Sequence, residues 1–268
     1  MDPFLILFFC CMALGLVVGL LAGMLGIGGG LIIVPCLSYL LVHFLGVNTD
    51  TVMPMAVATS LSTIIFTGLS SALAHHKLGN LDRHIVIWSS IGIAFGAIAG
   101  AHVASAISGH TLKNIFAVLV IAVAAQMVFG RRQASSHKAG KPALVSVGAG
   151  TGCVSALMGI GGGALLVPAL VWFQVNVRQA IGCAAFSGLV VALFGTASFI
   201  LTGSAVDGLP QNSIGYVYWP ATLGIVCTSV FTANIGARLG QRMNTVLLKK
   251  MLACLLVLVS IRMIVGIE

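Results

Sequence analysis

Long apolar runs, broken only by short polar stretches, occupy most of this chain, and no Asp or Glu falls in the middle of any of them. Inside a bilayer every backbone N–H and C=O of such a run needs a partner within the protein, and only helices and closed barrels provide one. A barrel would read as alternating segments of about 10 residues, and these runs do not alternate. The chain therefore reads as an all-α integral membrane protein. Its charged fraction is 7%, against about 25% in soluble domains. Residues 1–21 are apolar enough for a secretory signal. They have no basic start, however, and run straight into a glycine cluster, so they read as structure. The seven cysteines form no CxxC pair, so neither a disulfide framework nor a metal site is expected, and no cofactor is called for.

Two segments set the organisation: "GMLGIGGGLIIVPCL" at 23–37 and "ALMGIGGGALLVPAL" at 156–170. Gly26, Gly28, Gly29, Gly30 and Pro35 recur 133 residues later as Gly159, Gly161, Gly162, Gly163 and Pro168. Further landmarks follow in the same order. Val47-Asn48 recurs as Val175-Asn176, Gly100-Ala101 as Gly236-Ala237, and "QMVFG" at 126–130 as "RMIVG" at 262–266. The chain thus reads as two repeats, 1–130 and 143–268, joined by a basic linker at 131–142.

Charge gives the orientation. The segment 75–84, the linker, Arg178 and the 238–250 region hold eleven of the thirteen Lys and Arg residues, and cytoplasmic loops collect such residues. The basic loop at 75–84 has a counterpart at 202–213 with an aspartate and no Lys or Arg. The nearly neutral turn at 108–111 has a basic counterpart at 238–245. Matched loops therefore switch sides, which makes the repeats inverted, as in many secondary transporters. The linker is expected in the cytoplasm and both termini on the other side. With its basic residues so placed, the net charge of +8 needs no nucleic-acid partner.

Around the second motif the apolar runs 143–158 and 164–174 are shorter than the roughly 20 residues of a span. A hairpin entering and leaving by one face, then a full helix at 179–201, satisfies the loop placement. Each repeat is expected to hold such a glycine-rich, re-entrant or broken hairpin plus about three spanning helices, with the two tips meeting near the midplane. Consecutive glycines leave backbone N–H groups uncovered. A short helix starting just after them, its proline in the first turn, aims the positive end of its dipole at the tip. Free N–H groups at a helix start bind anions without a charged side chain. The candidate ligands are therefore Gly28, Gly29 and Gly30 with Gly161, Gly162 and Gly163. A single such motif would fit close helix packing better than a site. The duplication, short helices and switching charges favour the site. No GK[ST] follows either motif, so nucleotide-driven transport is unsupported.

At these residues the chain resembles the sulfite exporter TauE/SafE family, also called TSUP. Its members have two related halves, each carrying a GxGGG element and a proline. The resemblance covers essentially the whole chain. It implies an inner-membrane transporter of sulfur-containing anions such as sulfite, organosulfonates or thiosulfate, working in export.

Downstream, "ATSLST" and "AAFSGL" supply hydroxyls that can donate to a sulfonate oxygen or bond their own helix. Ser60 and Ser187, paired by the repeats, and Thr59 are the side-chain candidates. Asn48 and Asn176 follow short helices and read as the caps that end them. His102 and Arg238, also repeat equivalents, would draw anions into opposite vestibules or simply snorkel at helix ends. With no mid-helix carboxylate for proton coupling, electrogenic export by alternating access is expected. The alternatives are an uptake carrier or channel for the same anions. An intramembrane hydrolase is disfavoured, since "AFSG" at 185–188 lacks the first glycine of GxSG and has no evident helical His partner. The expected partners are a small anion and the lipid bilayer, with room left for a homo-oligomer.

Overall fold

The computed structural model describes residues 3–25, 29–129 and 140–240. Gly28, most of the linker and the last part of the second expected repeat lie outside the described residues. Nine helices are described: α1 (Pro3–Leu25), α2 (Gly30–Leu45), α3 (Thr49–Lys77), α4 (Arg83–Ala106), α5 (Gly109–Phe129), α6 (Lys141–Met158), α7 (Gly163–Trp172), α8 (Val177–Gly203) and α9 (Trp219–Gly240). Thr49–Lys77, Arg83–Ala106, Gly109–Gln126 and Arg178–Gly203 are long and apolar enough to cross a membrane. Four shorter apolar helices accompany them: Leu5–Leu21, Gly30–Leu45, Gly163–Trp172 and Trp219–Ala233. The 10 residues of α7 reach only about 15 Å, half the hydrocarbon core.

Local chemistry explains the breaks between helices. Asn48 accepts from the Asp50 amide at 3.2 Å, Asn176 from the Arg178 amide at 3.1 Å, and Asp82 from the His84 amide at 2.9 Å. Each caps the start of the next helix, satisfying an amide that has no intrahelical acceptor. The two asparagines cap the helices that follow them, whereas Gly46 and Phe173 end the short helices that the asparagines were expected to cap. Pro35 and Pro168 depart from expectation. Each is the sixth residue of its helix, past the first turn. Each therefore removes an N–H that would bond the carbonyl four residues back, at Leu31 and Ala164.

Helices pack through glycine seams. On α4, Gly92, Gly96 and Gly100 lie against Val145, Ala149 and Cys153 of α6, rising in step, so these helices run parallel. Gly148 and Gly152 of α6 face Ser89 and Ile93 in return. Helix α1 treats α9 the same way, with Gly15 and Gly19 against Ile225 and Ser229. Where α4 has Gly92 and Gly96, α9 has Thr228 and Thr232. Their hydroxyls donate across the seam to the Met12 carbonyl at 2.8 Å and the Gly15 carbonyl at 3.4 Å. Lipid offers no hydrophobic drive between helices, so close backbone approach and such hydrogen bonds hold them together.

The most interior of the long helices is α3, with 72% of its apolar window buried. It crosses α8 in the opposite sense: Gly68 packs on Leu189, and Leu61 packs on Gly195. At one end of the molecule the ammonium of Lys141 stands 5.1 Å over the Trp88 ring, and Gly182 rests on Asn80. This gathers the starts of α4, α6 and α8. At the other end, Ser105 and Thr202 hydroxyls are 2.8 Å apart.

One element was not foreseen in an all-α reading. Between α8 and α9, β1 (Ser213–Ile214) and β2 (Val217–Tyr218) pair antiparallel. The hairpin folds inward rather than standing free, and Tyr216, Val217 and Tyr218 are buried.

The seam yields a matched test within one helix. A Cβ on Gly152 would meet the Ile93 carbonyl oxygen at 2.6 Å, whereas one on Gly150 meets nothing within 4 Å. Gly152→Ala is expected to destabilise by about 1–3 kcal/mol through overpacking. Gly150→Ala should stabilise by up to about 1 kcal/mol from helix propensity. Thermal unfolding of the two variants in detergent checks both signs.

Candidate functional site

Two glycine turns meet in the buried interior. Gly29 adopts a left-handed conformation (φ 74°) just before α2, and its carbonyl accepts from the amides of Ile32 at 3.0 Å and Ile33 at 3.1 Å. Gly159 (φ 63°) ends α6 the same way, with the Ile160 amide returning to the Ser155 carbonyl at 2.9 Å. Only glycine takes such angles without strain. Gly30 lies directly on the carbonyl of Gly159, and a Cβ there would be 3.0 Å from the Ile160 Cα. The turns therefore touch backbone to backbone.

Beyond the contact the chain turns through Ile160 and Gly161 into α7. Gly161 and Gly162 are buried and Gly163 is half-buried. The Gly162 carbonyl accepts the Leu166 amide at 2.9 Å, while the amides before it have no acceptor within the helix. Together with the helix dipole they make a positive pole without any cation. This pole faces α8: a Cβ on Gly188 would be 3.5 Å from the Gly162 amide nitrogen, and one on Gly162 would be 3.8 Å from the Ser187 carbonyl carbon.

The hydroxyl candidates divide. Ser60 donates to the Gly159 carbonyl at 2.8 Å, tying α3 to the second turn. Thr59 accepts from the Tyr218 amide at 3.0 Å, fixing the end of the β hairpin. Ser187 is fully buried, and its Oγ has no hydrogen-bond partner among the described residues. An idle buried hydroxyl costs about 1–3 kcal/mol. Counting from the helix caps Asn48 and Asn176 places Thr59 and Ser187 both eleven residues on. By this register Ser187 corresponds to Thr59, and Ser60 to Gly188, which shifts the expected Ser60–Ser187 pairing by one.

The other candidates stand elsewhere. His102 is on the exposed surface of α4, its Nδ1 2.9 Å from the Ile98 carbonyl of its own helix, apart from the buried turns. Arg238 lies in the last turn of α9, and its side chain, like Gly28, lies outside the described residues. Among the described residues no group of His, Cys, Asp or Glu is disposed to hold a metal ion. Sequence reasoning passed over Ser155, which is fully buried one turn before Gly159 with its hydroxyl equally idle. Its repeat position, 133 residues earlier, holds Ala22, so a search for paired polar residues does not find it.

Residues 11–263 match the family described as sulfite exporter TauE/SafE. The chain belongs to that family. A "probable membrane transporter protein" of Haemophilus influenzae is 38% identical over 260 residues, covering 94% of this chain and 96% of the relative. The "probable membrane transporter protein YunE" of Bacillus subtilis is 29% identical over 279 residues, covering 96% and 97%. A third protein so described, from Methanocaldococcus jannaschii, is 27% identical over 256 residues, covering 94% of each chain. No solved structure matches. As a TauE/SafE protein with several membrane-length apolar helices, the chain is a multi-pass membrane transporter of a small molecule, not an enzyme.

The Ser60 bond predicts a separable effect. Ser60→Ala leaves the buried Gly159 carbonyl without its side-chain donor and should cost about 1–3 kcal/mol. Ser187→Ala removes an idle hydroxyl and should leave the unfolding temperature unchanged or slightly raised. Thermal unfolding of the two variants distinguishes them.

Proposed function

We propose that this TauE/SafE protein is a secondary transporter that exports sulfur-containing anions across the inner membrane. Sulfite, an organosulfonate or thiosulfate is the class in view. The observation that carries the reading is the meeting of two glycine turns, Gly30 against Gly159 and Ile160, beside the positive start of α7. Amides uncovered by side chains recognise negative oxygens at no cost in buried charge. A neutral substrate would leave that pole unused. The proposed cradle takes in Gly28, Gly29 and Gly30 from the first motif and Gly161, Gly162 and Gly163 from the second, with Ser187, Ser60 and Thr59 around them. His102 and Arg238 are the proposed vestibule groups.

Two inverted repeats, 1–130 and 143–268, would alternate access around this point. The pairing of the seams supports this. Gly15 and Gly19 stand to Ile225 and Ser229 as Gly148 and Gly152 stand to Ser89 and Ile93. These residues keep the offsets of 133 and 136 that align the two halves of the sequence. The antiparallel crossing of α3 and α8, the third helices of their halves, supports inversion as well. A re-entrant α6–α7 hairpin is supported by the contacts that set Lys141 beside Trp88 and Gly182 beside Asn80, because both ends of the hairpin then share one end of the molecule. That end, basic in its loops, is the proposed cytoplasmic face, with the linker there and both termini opposite.

With the cytoplasm negative, each exported negative charge gains about 2.3 kcal/mol per 100 mV, enough to drive export without a proton-carrying carboxylate. Purified protein in liposomes loaded with radiolabelled sulfite tests the proposal. Saturable efflux that accelerates under an inside-negative potential is expected. Flux that ignores voltage and follows only a pH gradient would overturn electrogenic export, and non-saturable flux would favour a channel.

A further inference from the structure

We infer that the anion site is one-sided: Ser155 of α6 and Ser187 of α8 supply its hydroxyl donors at the start of α7, while Thr59 and Ser60 of α3 only hold the surrounding backbone. This rests on the anion-transporter reading and replaces its symmetric cradle with an asymmetric one.

A serine or threonine in a buried helix ordinarily returns its hydroxyl to a carbonyl three or four residues back. Here Ser62 bonds the Thr59 carbonyl at 2.7 Å, Thr63 the Ser60 carbonyl at 2.7 Å, and Ser89 the Ile85 carbonyl at 2.7 Å. Ser155 and Ser187 do not do so, nor do Ser90, Thr196 and Ser229, which lie on other stretches of α4, α8 and α9. Ser155 and Ser187 are fully buried, and neither Oγ has a partner among the described residues. Both also flank the same feature. The Ser155 carbonyl receives the Ile160 amide at 2.9 Å, which closes the turn into the glycines. Ser187 and Gly188 lie against Gly161 and Gly162. Two idle hydroxyls thus stand on the helix before and the helix after the amide-rich start of α7.

The matching positions of the first half cannot do the same work. Ala22, at the place of Ser155, has no hydroxyl. Thr59, at the place of Ser187, has its oxygen held at 3.0 Å by the Tyr218 amide, which sets the hydroxyl against the β hairpin. Ser60 spends its proton on the Gly159 carbonyl, leaving only lone pairs, which repel an anion. The first turn supplies shape, through the contact of Gly30 with Gly159, and the second supplies donors. Two hydroxyls with backbone amides suit a ligand with several terminal oxygens sharing negative charge, such as sulfite or the sulfonate head of an organosulfonate. A charged acceptor makes each such bond stronger than a neutral one would.

The test is equilibrium binding of radiolabelled sulfite and radiolabelled methanesulfonate to the purified full chain, with thermal unfolding measured in parallel. Ser155→Ala and Ser187→Ala should each weaken binding about tenfold, the worth of one charge-assisted hydrogen bond, without lowering the unfolding temperature. Ser187→Thr, which keeps the hydroxyl, should recover much of the loss. Thr196 is an internal control, being buried on α8 with an idle hydroxyl but nine residues past Ser187, about 13 Å along the helix. Thr196→Val should leave both affinities unchanged. Unchanged affinity in both alanine variants, or an equal loss in Thr196→Val, would overturn the one-sided site. If the wild-type chain bound neither anion, the anion reading itself would fall, and this inference with it.

Discussion

The close approach of Gly30 to the Gly159 carbonyl governs the centre of this molecule. Neither residue can carry a side chain there: a Cβ on Gly159 would come within 3.1 Å of the Val57 Cα, and its left-handed backbone excludes most residues in any case. Backbones brought this near must be held by something other than the hydrophobic effect, which is weak between helices in lipid. The seams of α1 with α9 and of α4 with α6 do this from the flanks. Each seam locks the helix that leads into a glycine turn, α1 or α6, to a helix from the other part of the chain, α9 or α4. Each glycine turn is thus positioned by the half to which it does not belong.

Helix α3 carries the polar side of the same arrangement within a few consecutive residues. Thr59 fixes the β hairpin through the Tyr218 amide, Ser60 fixes the second glycine turn, and the Ser62 hydroxyl lies 2.6 Å from that of Thr222 on α9. One turn of helix therefore ties the α8–α9 connection, the α6–α7 turn and α9 together. Satisfied buried hydroxyls make such a segment rigid. Displacement of the β hairpin or of α9 would be felt at Gly159 through a rigid stretch only a few residues long.

Much of this was legible in the sequence. The glycine motifs showed where helices break, and low charge with apolar runs showed the class of protein. The glycine seams were not read from the sequence, although Gly15 and Gly19 recur as Gly148 and Gly152, because small residues in an apolar run do not announce what they face. The inward β hairpin was not legible, because two-residue strands carry no periodicity and 202–213 looks like any polar loop. The prolines were misplaced for a different reason. Their fixed φ suits a first turn, and nothing local reveals that a helix starts five residues earlier and gives up one hydrogen bond. For the site, repeat alignment rewards what is shared, and it led to Ser60, whose proton turned out to be committed to a carbonyl. Ser155, matched by an alanine in the first repeat, was invisible to the same logic.

Those two serines illustrate a general property of membrane chains with repeated glycine motifs. Duplication constrains backbone: turns, seams and helix directions must match if two halves are to pack as equivalents, and glycines mark those positions twice. Side-chain chemistry is under no such constraint. On the proposed reading, a single anion lying between two similar turns needs only one good set of donors. A second set would leave one set idle in every bound state, at the cost of buried unpaired groups. The first half is then free to use its hydroxyls as structural ties, as Thr59 and Ser60 do. On that reading the shared residues locate the proposed site, and the unshared ones determine what it binds.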